Sequence, residues 1–347
     1  MNATAPLRLG ILGCANIARQ FVRDVAGSPS VRIQAVASRD AAKAREFAAQ
    51  FGIARAHDSY EALLRDDGVD AIYVPLPNSL HASWAVAALQ HGKHVLCEKP
   101  LAMNLDEARR MFDAARTHGV MLLEAYPWWF QPQTAALLEL LHGGSIGSVR
   151  AVQASFGFTL VDPAGTNVRS VPDLGGGALM DCGCYVMSLI RLAIDARPQR
   201  VRALWRTGPT GIDIATSATL EYADGAVAQL HCAMDMALHR HACIVGSDGF
   251  ITTEFLNHTA DAGADHPWGY QPSQMRVRRS RGNAAIESVD SPTGSGFRFA
   301  AEAFADVVAR GDRAAIEAAA RASLDIAATL EAIAASARSG TAVDLPP

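Results

Sequence analysis

Leu7-Arg8-Leu9-Gly10-Ile11-Leu12-Gly13-Cys14-Ala15-Asn16-Ile17-Ala18 reads as a strand that runs into a tight turn and opens a helix. Gly13, Ala15 and Ala18 fall at the three glycine positions of the dinucleotide-binding turn. The first position permits the turn. The second must be small so that backbone amides can approach a pyrophosphate, and the third lets the helix pack close to the sheet with its positive end toward the anion. Alanine at the middle position departs from the pattern, and the strand–turn–helix context restores it. Gly13, Cys14, Ala15, Asn16 and Ile17 are therefore the expected phosphate cradle.

Outward from this turn the chain alternates between short apolar runs and helical patterns. After the first strand and the helix Ile17 to Val25 come a strand at Arg32 to Ala37 and a helix at Asp40 to Phe51. Further strands are expected at Ala71 to Leu76, His94 to Cys97 and Val120 to Leu123, with helices near His81 to Gln90 and Leu105 to His118. Such alternation specifies a parallel sheet with crossover helices. Beyond Tyr126 the rhythm changes. A helix at Thr134 to His142 precedes a long β-rich run, Val149 to Leu160, and Gly177 to Leu192 is helical again. Strands at Val201 to Arg206, Ile214 to Tyr222 and Ala226 to Cys232 follow, with hairpin signals at Asp224-Gly225 and Asp248-Gly249. Asn257 to Gln274 is expected as a long loop, and Phe297 to Ser336 as Ala-rich helix. The expected fold is an α/β Rossmann domain over residues 1–125. An α+β domain with a large, mostly antiparallel open sheet is expected over 126–347, carrying substrate binding and self-association.

At 347 residues, with a fifth of them charged and a net charge of -4, the chain has ordinary globular composition. The charge gives no reason to expect nucleic acid or anionic lipid as a partner. No run of eighteen apolar residues marks a membrane span. The first apolar run carries Arg8 and leads into the glycine turn, so it is read as a strand and not as a signal peptide. Arg276 to Arg281, with alternating charges, reads as a solvated strand edge. Six cysteines without CxxC spacing point to small buried residues in a reducing compartment, hence the cytoplasm, and no metal site is expected.

The end of the second strand discriminates between nicotinamide cofactors. NAD sites place an acidic residue there to hold the ribose 2′-hydroxyl. Here stand Ala37-Ser38-Arg39, of which Ser38 can donate to a 2′-phosphate while Arg39 pairs with it and stacks on adenine. NADP(H) is the expected cofactor. The alternative is a helix start with Arg39 as a surface charge, since Asp40 can be the N-cap, and an acidic Asp40 also leaves room for NAD.

Three further stretches carry a resemblance. They are Pro75-Leu76-Pro77-Asn78-Ser79-Leu80-His81, Cys97-Glu98-Lys99-Pro100, and Gly175-Gly176-Gly177-Ala178-Leu179-Met180-Asp181-Cys182-Gly183-Cys184-Tyr185. In this order they resemble the motifs of the glucose–fructose oxidoreductase, inositol dehydrogenase and rhizopine catabolism (Gfo/Idh/MocA) family. The similarity is greatest to the branch of dihydrodiol dehydrogenases, xylose dehydrogenases and aldose oxidoreductases, where tyrosine closes the last motif. The resemblance implies that Pro75, Leu76, Asn78, His81, Glu98 and Lys99 face the cofactor. It also implies that Lys99, Asp181 and Tyr185 are catalytic, with Arg169 beside the substrate. Trp129 stands where this branch often has a basic residue, which implies a less charged substrate or a differently shaped pocket.

The residues make chemical sense without the family. Oxidising an alcohol requires a group to take the hydroxyl proton as hydride leaves carbon. Either Tyr185 takes it beside a Lys99 cation, or Lys99 takes it directly. Only three lysines occur, and Lys43 and Lys93 read as surface residues. Asp181 and Tyr185, four apart, share a helix face. The glycines ahead of them would let a substrate or nicotinamide ring approach the backbone. Tyr126 and Trp128 either wall a sugar site or belong to the core. The expected activity is hydride transfer to or from a hydroxyl-bearing carbon of an aldose or similar polyol. The alternatives are a trans-dihydrodiol dehydrogenase, a ketosugar reductase, or a nucleotide sensor without turnover. A homodimer or homotetramer is expected.

Overall fold

The computed structural model describes residues 5–346. Internal contacts divide the chain into two compact units, one running to Pro127 and taking in Ser295–Ser323, the other holding Trp128–Gly294 and the residues from Leu324 onward.

The first unit begins β1 (Leu7–Leu12), α1 (Asn16–Val25), β2 (Val31–Ala37), α2 (Ala41–Phe51), β3 (Arg55–His57), α3 (Tyr60–Leu64) and β4 (Ala71–Val74). It continues α4 (Asn78–Gln90), β5 (His94–Glu98), α5 (Leu105–His118) and β6 (Leu122–Ala125). Among the described residues these strands form one parallel sheet in the order β3-β2-β1-β4-β5-β6. β1 therefore has the next strand in sequence on one side and β4 on the other, and this reversal opens a crevice at the carboxyl ends of the two strands. Ile11, Leu12, Val36, Ile72, Val74, Val95, Leu96 and Leu122 are fully buried, as strands covered on both faces require. Each contributes roughly 1.5–3 kcal/mol relative to exposure.

Several boundaries differ from expectation for identifiable reasons. β4 stops at Val74 because Pro75 and Pro77 lack the N–H a ladder needs. β6 starts at Leu122, since Gly119 ends α5 in a left-handed conformation and the Val120 N–H bonds back to Ala115. β3 and α3, at three and five residues, are too short for periodicity to announce.

The second unit comprises α6 (Pro132–His142), β7 (Val149–Thr159), α7 (Cys184–Ile194), β8 (Arg200–Thr207), β9 (Asp213–Glu221), β10 (Val227–Ala233) and β11 (Asp235–Gly246). β12 (Phe250–Thr253), β13 (Met275–Arg278) and β14 (Glu287–Ser288) follow. The segment expected as one Ala-rich helix is two, α8 (Gly296–Arg310) and α9 (Arg313–Ser339), broken where Gly311 takes φ 60°. β15 (Val343–Asp344) ends the described chain and joins the nine-stranded sheet β14-β13-β12-β11-β7-β10-β9-β8-β15. Only the β7–β10 pair is parallel, so the sheet is mixed but mostly antiparallel. The basic run falls on β13, where Arg276 and Arg278 alternate with buried Met275 and Val277. Asn257 to Gln274 is a loop with a single bridge, Thr259 to Gln271.

Residues 295–323 lie in the first unit, although the sequence was read as leaving it at residue 125. The Phe297 ring meets Phe21 edge-on at 5.6 Å, and the Glu302 carboxylate accepts from the Ser28 hydroxyl at 2.8 Å. An amphipathic helix displays which face it buries but not which core receives it. The stretch Pro172–Ile194 is long and apolar enough to cross a membrane, contrary to the sequence expectation, yet 78% of its apolar window is buried in the protein.

Two buried side chains tie the strand ends of the first unit together. His81 in α4 is fully buried, with Nδ1 2.8 Å from the Pro100 carbonyl and Nε2 2.8 Å from that of Leu76. The neutral ring donates its one N–H to one of these carbonyls, so the His81→Ala variant leaves that carbonyl without its donor and loses about 1–3 kcal/mol in urea unfolding. Glu124 in β6 accepts the Leu101 N–H at 2.8 Å, and burial pushes its carboxyl up to about 7, against the hydroxyls of Ser323 and Tyr126 that favour the charged form. The folded state then holds a proton that the unfolded state has released, so stability falls as pH rises from about 4.5 to about 7. Unfolding midpoints at pH 5 and pH 8 are expected to differ by on the order of 3 kcal/mol from this group, and Glu124→Gln removes that difference.

Candidate active site

In the first unit every expected cofactor residue lies at or just beyond the carboxyl end of a parallel strand. Gly13 leaves β1 with φ 99°, which only glycine takes readily, and a Cβ there would stand 3.2 Å from the Leu76 side chain and 3.4 Å from the Tyr60 hydroxyl. At Gly10 a Cβ would meet Leu63 at 2.9 Å, so both glycines keep the turn close to its neighbours. α1 opens at Asn16 with Ala15 as N-cap, no side-chain cap and no acidic residue in its first turn. Its amide donors and positive dipole end are thus available to an anion, as a pyrophosphate would require. Cys14 sits in this turn, half-buried, with its thiol pushed up by burial.

Beyond β2, Ser38 Oγ accepts the Asp40 N–H at 3.1 Å. The Asp40 carboxylate accepts the N–H groups of Ala42 and Lys43 at 2.9 and 3.2 Å and so caps α2. Arg39, exposed, and the Ser38 hydroxyl stand just beyond the end of β2. Beyond β4, Pro75 and Leu76 line the loop into α4, and Asn78 occupies its first turn.

At the end of β5, Glu98 is buried and accepts the Tyr73 hydroxyl at 2.6 Å. The Phe21 ring of α1 stacks on Tyr73 with centroids 3.8 Å apart, which links the phosphate helix to the strand that presents Lys99. Lys99 is half-buried and begins the turn held by His81 and Glu124.

Two expectations for this unit are corrected. His81 does not have a ring nitrogen left for a nicotinamide ribose, because both face backbone carbonyls. Lys93 is not a surface residue. Its ammonium donates to the carbonyls of Asp66 and Val69 at 2.9 and 2.8 Å, whereas Lys43 is exposed.

The second unit brings Arg169, Asp181 and Tyr185 together. Asp181 lies in a π-helical turn, Leu179–Gly183, that precedes α7. Its Oδ2 accepts from Arg169 Nε at 2.7 Å, and the carboxylate holds the guanidinium above its ordinary pKa. Tyr185 follows one turn on. Its hydroxyl accepts from Asn257 Nδ2 at 3.0 Å, and its ring meets Phe156 edge-on at 5.7 Å. The Arg240 guanidinium lies 4.5 Å from the Tyr185 ring centre and 3.9 Å from that of Phe156.

The glycine run has a different purpose from the expected one. A Cβ on Gly176 would come 2.5 Å from the Arg169 carbonyl, and one on Gly177 would come 2.1 Å from Asp213 Oδ1. At these two positions protein atoms occupy the space the missing side chains leave. Asp213 then accepts the Leu179 N–H at 2.7 Å and caps the helical run from outside it. Tyr126 and Trp128 are 0% and 1% exposed, and the Trp128 indole donates to Ser188 at 3.0 Å. Both are core, so neither presents a face to a sugar. Trp129 next to them is half-exposed.

Sequence reasoning missed Arg240 and Asn257. Arg240 did leave a trace, because it is in phase along β11 with Ala242 and Ile244, both fully buried, and so carries a charge on the core face of a strand. Asn257 left none. It sits in an irregular loop fixed by Gln131, whose amide donates to the carbonyls of Asn257 and Gly294 at 2.7 and 2.9 Å.

Comparison with known proteins agrees with this geometry. Residues 7–126 match the model of the GFO/IDH/MocA oxidoreductase family with an NAD-binding Rossmann fold, and residues 134–252 match its C-terminal domain. The chain is 37% identical over 341 residues to D-xylose 1-dehydrogenase (NADP(+)) 2 of Haloferax volcanii, covering 98% of this chain and 100% of that one. It is 36% identical to trans-1,2-dihydrobenzene-1,2-diol dehydrogenase of Mus musculus, covering 72% of this chain and 75% of that one. Among solved structures, a 3-ketoreductase from Actinomadura kijaniata in complex with NADP and TDP-benzene superposes with a TM-score of 0.83 at 32% identity, covering 95% and 98% of the two chains. With both of its domains matched and its strand-end turns in place, the chain belongs to the GFO/IDH/MocA oxidoreductase family.

Proposed function

We propose that the chain is an NADP(H)-dependent oxidoreductase that moves a hydride to or from a hydroxyl-bearing carbon of an aldose or similar polyol. The observation that carries this is the polar cluster on the second unit, where a phenol and a carboxylate stand one helical turn apart with their partners fixed. Family membership supports the hydride chemistry, and the likeness to a xylose dehydrogenase supports a sugar as substrate.

The first unit would hold the cofactor through the amides of residues 13–17, with Ser38 and Arg39 on the 2′-phosphate. The use of Asp40 as a helix cap supports NADP over NAD, since its carboxylate is engaged by α2. Bound nicotinamide would supply the hydride acceptor in oxidation and the donor in reduction. The proton is the protein's task. We assign its exchange with the substrate hydroxyl to Tyr185, with Lys99 as a cation that favours the phenolate, and we assign Asp181 with Arg169 to substrate orientation. Trp129 offers an aromatic face of the kind sugars pack against. Six cysteines without a disulfide among the described residues support a reducing compartment such as the cytoplasm. Self-association into a dimer or tetramer belongs to the same proposal.

Absorbance of NADPH tests this with a panel of aldoses, polyols and a trans-dihydrodiol. The expected result is NADPH formation with an aldose, falling about 10²- to 10⁴-fold in Lys99→Ala and in Tyr185→Phe while NADP still binds in a fluorescence titration. Turnover confined to the dihydrodiol reassigns the substrate. Silence across the panel with NADP bound makes the protein a nucleotide sensor. A separate outcome concerns cofactor choice: Arg39→Ala raises the KM for NADP about tenfold and leaves that for NAD unchanged.

A further inference from the structure

Arg240 is a half-buried cation on the core face of β11. Its Nη1 donates to Asn257 Oδ1 at 3.0 Å and to the Phe255 carbonyl at 3.3 Å. No carboxylate is within ion-pair distance of it among the described residues. Phe255 offers that carbonyl from φ 41°, a left-handed conformation unusual for a bulky residue, and its N–H is held by Thr253 Oγ1 at 3.2 Å. The loop is thus bent to meet the guanidinium. What remains beside the charge is aromatic: Phe156 on the neighbouring strand, paired in register with Arg240, and the Tyr185 ring with its oxygen.

We propose that Arg240 is a positioning residue for Tyr185, holding the phenol against Phe156 and Asn257 and supplying the positive charge that a phenolate requires. This rests on the assignment of proton exchange to Tyr185. In oxidation the Tyr185 oxygen would take the substrate hydroxyl proton as the C=O bond forms, with a nicotinamide held by the first unit supplying the hydride acceptor. In reduction the same proton returns to the alkoxide oxygen. A cation next to the ring favours the deprotonated partner of that exchange. Burial draws the guanidinium below the usual arginine pKa and the Tyr185 oxygen opposes this, but arginine keeps its charge throughout. Other charged or titratable groups near this cation and ring include Arg169, already paired with Asp181, and on the helical run of Tyr185 itself Asp181, Cys182 and Cys184. Lys99 is proposed above as a further cation that favours the phenolate. Arg240 and Asn257 lie on different elements and both meet Tyr185, the first at its ring and the second at its hydroxyl oxygen.

Arg240→Gln and Arg240→Lys are compared with wild type, each also with Tyr185→Phe. The acidic limb of kcat/KM for sugar oxidation is expected to move up by about 1 pH unit in Arg240→Gln. The KM for NADP stays unchanged, and Arg240→Lys restores most of the limb. A limb that stays in place while kcat falls overturns the proposal. Titration of tyrosinate absorbance, as the difference between each variant and its Tyr185→Phe counterpart, needs no turnover. The Tyr185 step is expected at higher pH in Arg240→Gln, and an unmoved step overturns the inference. A moved step in a protein silent toward every sugar sustains Arg240 and removes only the assigned reaction. If the glutamine variant does not fold, Arg240→Met fills the same apolar slot and is read by the same titration.

Discussion

A parallel strand cannot close its own end, and six of them ending on one edge leave a row of backbone groups that something else must satisfy. Much of the first unit follows from that constraint. His81 stands between the carbonyls of Leu76 and Pro100, the Glu124 carboxylate takes the Leu101 N–H, and Asp40 takes two amides of α2. His81 and Glu124 are buried and Asp40 is exposed, and each satisfies backbone groups where one element gives way to the next. The turns that carry Asn78 and Lys99 are held by the His81 and Glu124 bonds, whereas the turn at Gly13 depends on that residue's positive φ.

The second unit meets a different demand, that of placing charge on half-buried side chains beside its core. Arg169 is paired with Asp181 in the ordinary way. Arg240 is instead enclosed by two aromatic rings, an amide and a carbonyl, so its charge is distributed over neutral partners. An arginine tolerates this because its guanidinium is planar, weakly hydrated and able to stack. The cluster depends on close backbone packing at Gly176 and Gly177, where any side chain would displace the Arg169 carbonyl or Asp213.

Much of this was legible in the residues. The strand–turn–helix at the start, the alternation of β and α, and the switch to hairpin-linked strands specify the two folds, because hydrophobic period and turn chemistry are local properties. The motif residues Lys99, Asp181 and Tyr185 were legible as chemistry for the same reason. Tyr126 and Trp128 were not, since an aromatic beyond a strand looks alike whether it walls a pocket or fills a core. The burial of Trp128 depends on α7 and on Phe255, distant in sequence.

Local pattern by itself determined which elements form, where the phosphate turn lies and which side chains can exchange a proton. Tertiary structure alone decided what each polar group faces. It turned Asp40 into a cap, His81 into a bridge and Lys93 into a buried donor, and it brought Arg240 and Asn257 to Tyr185. The physical reason is that hydrogen-bond and charge partners are chosen by distance in space. In this chain the partners of Tyr185 come from positions 55 and 72 residues away along the backbone.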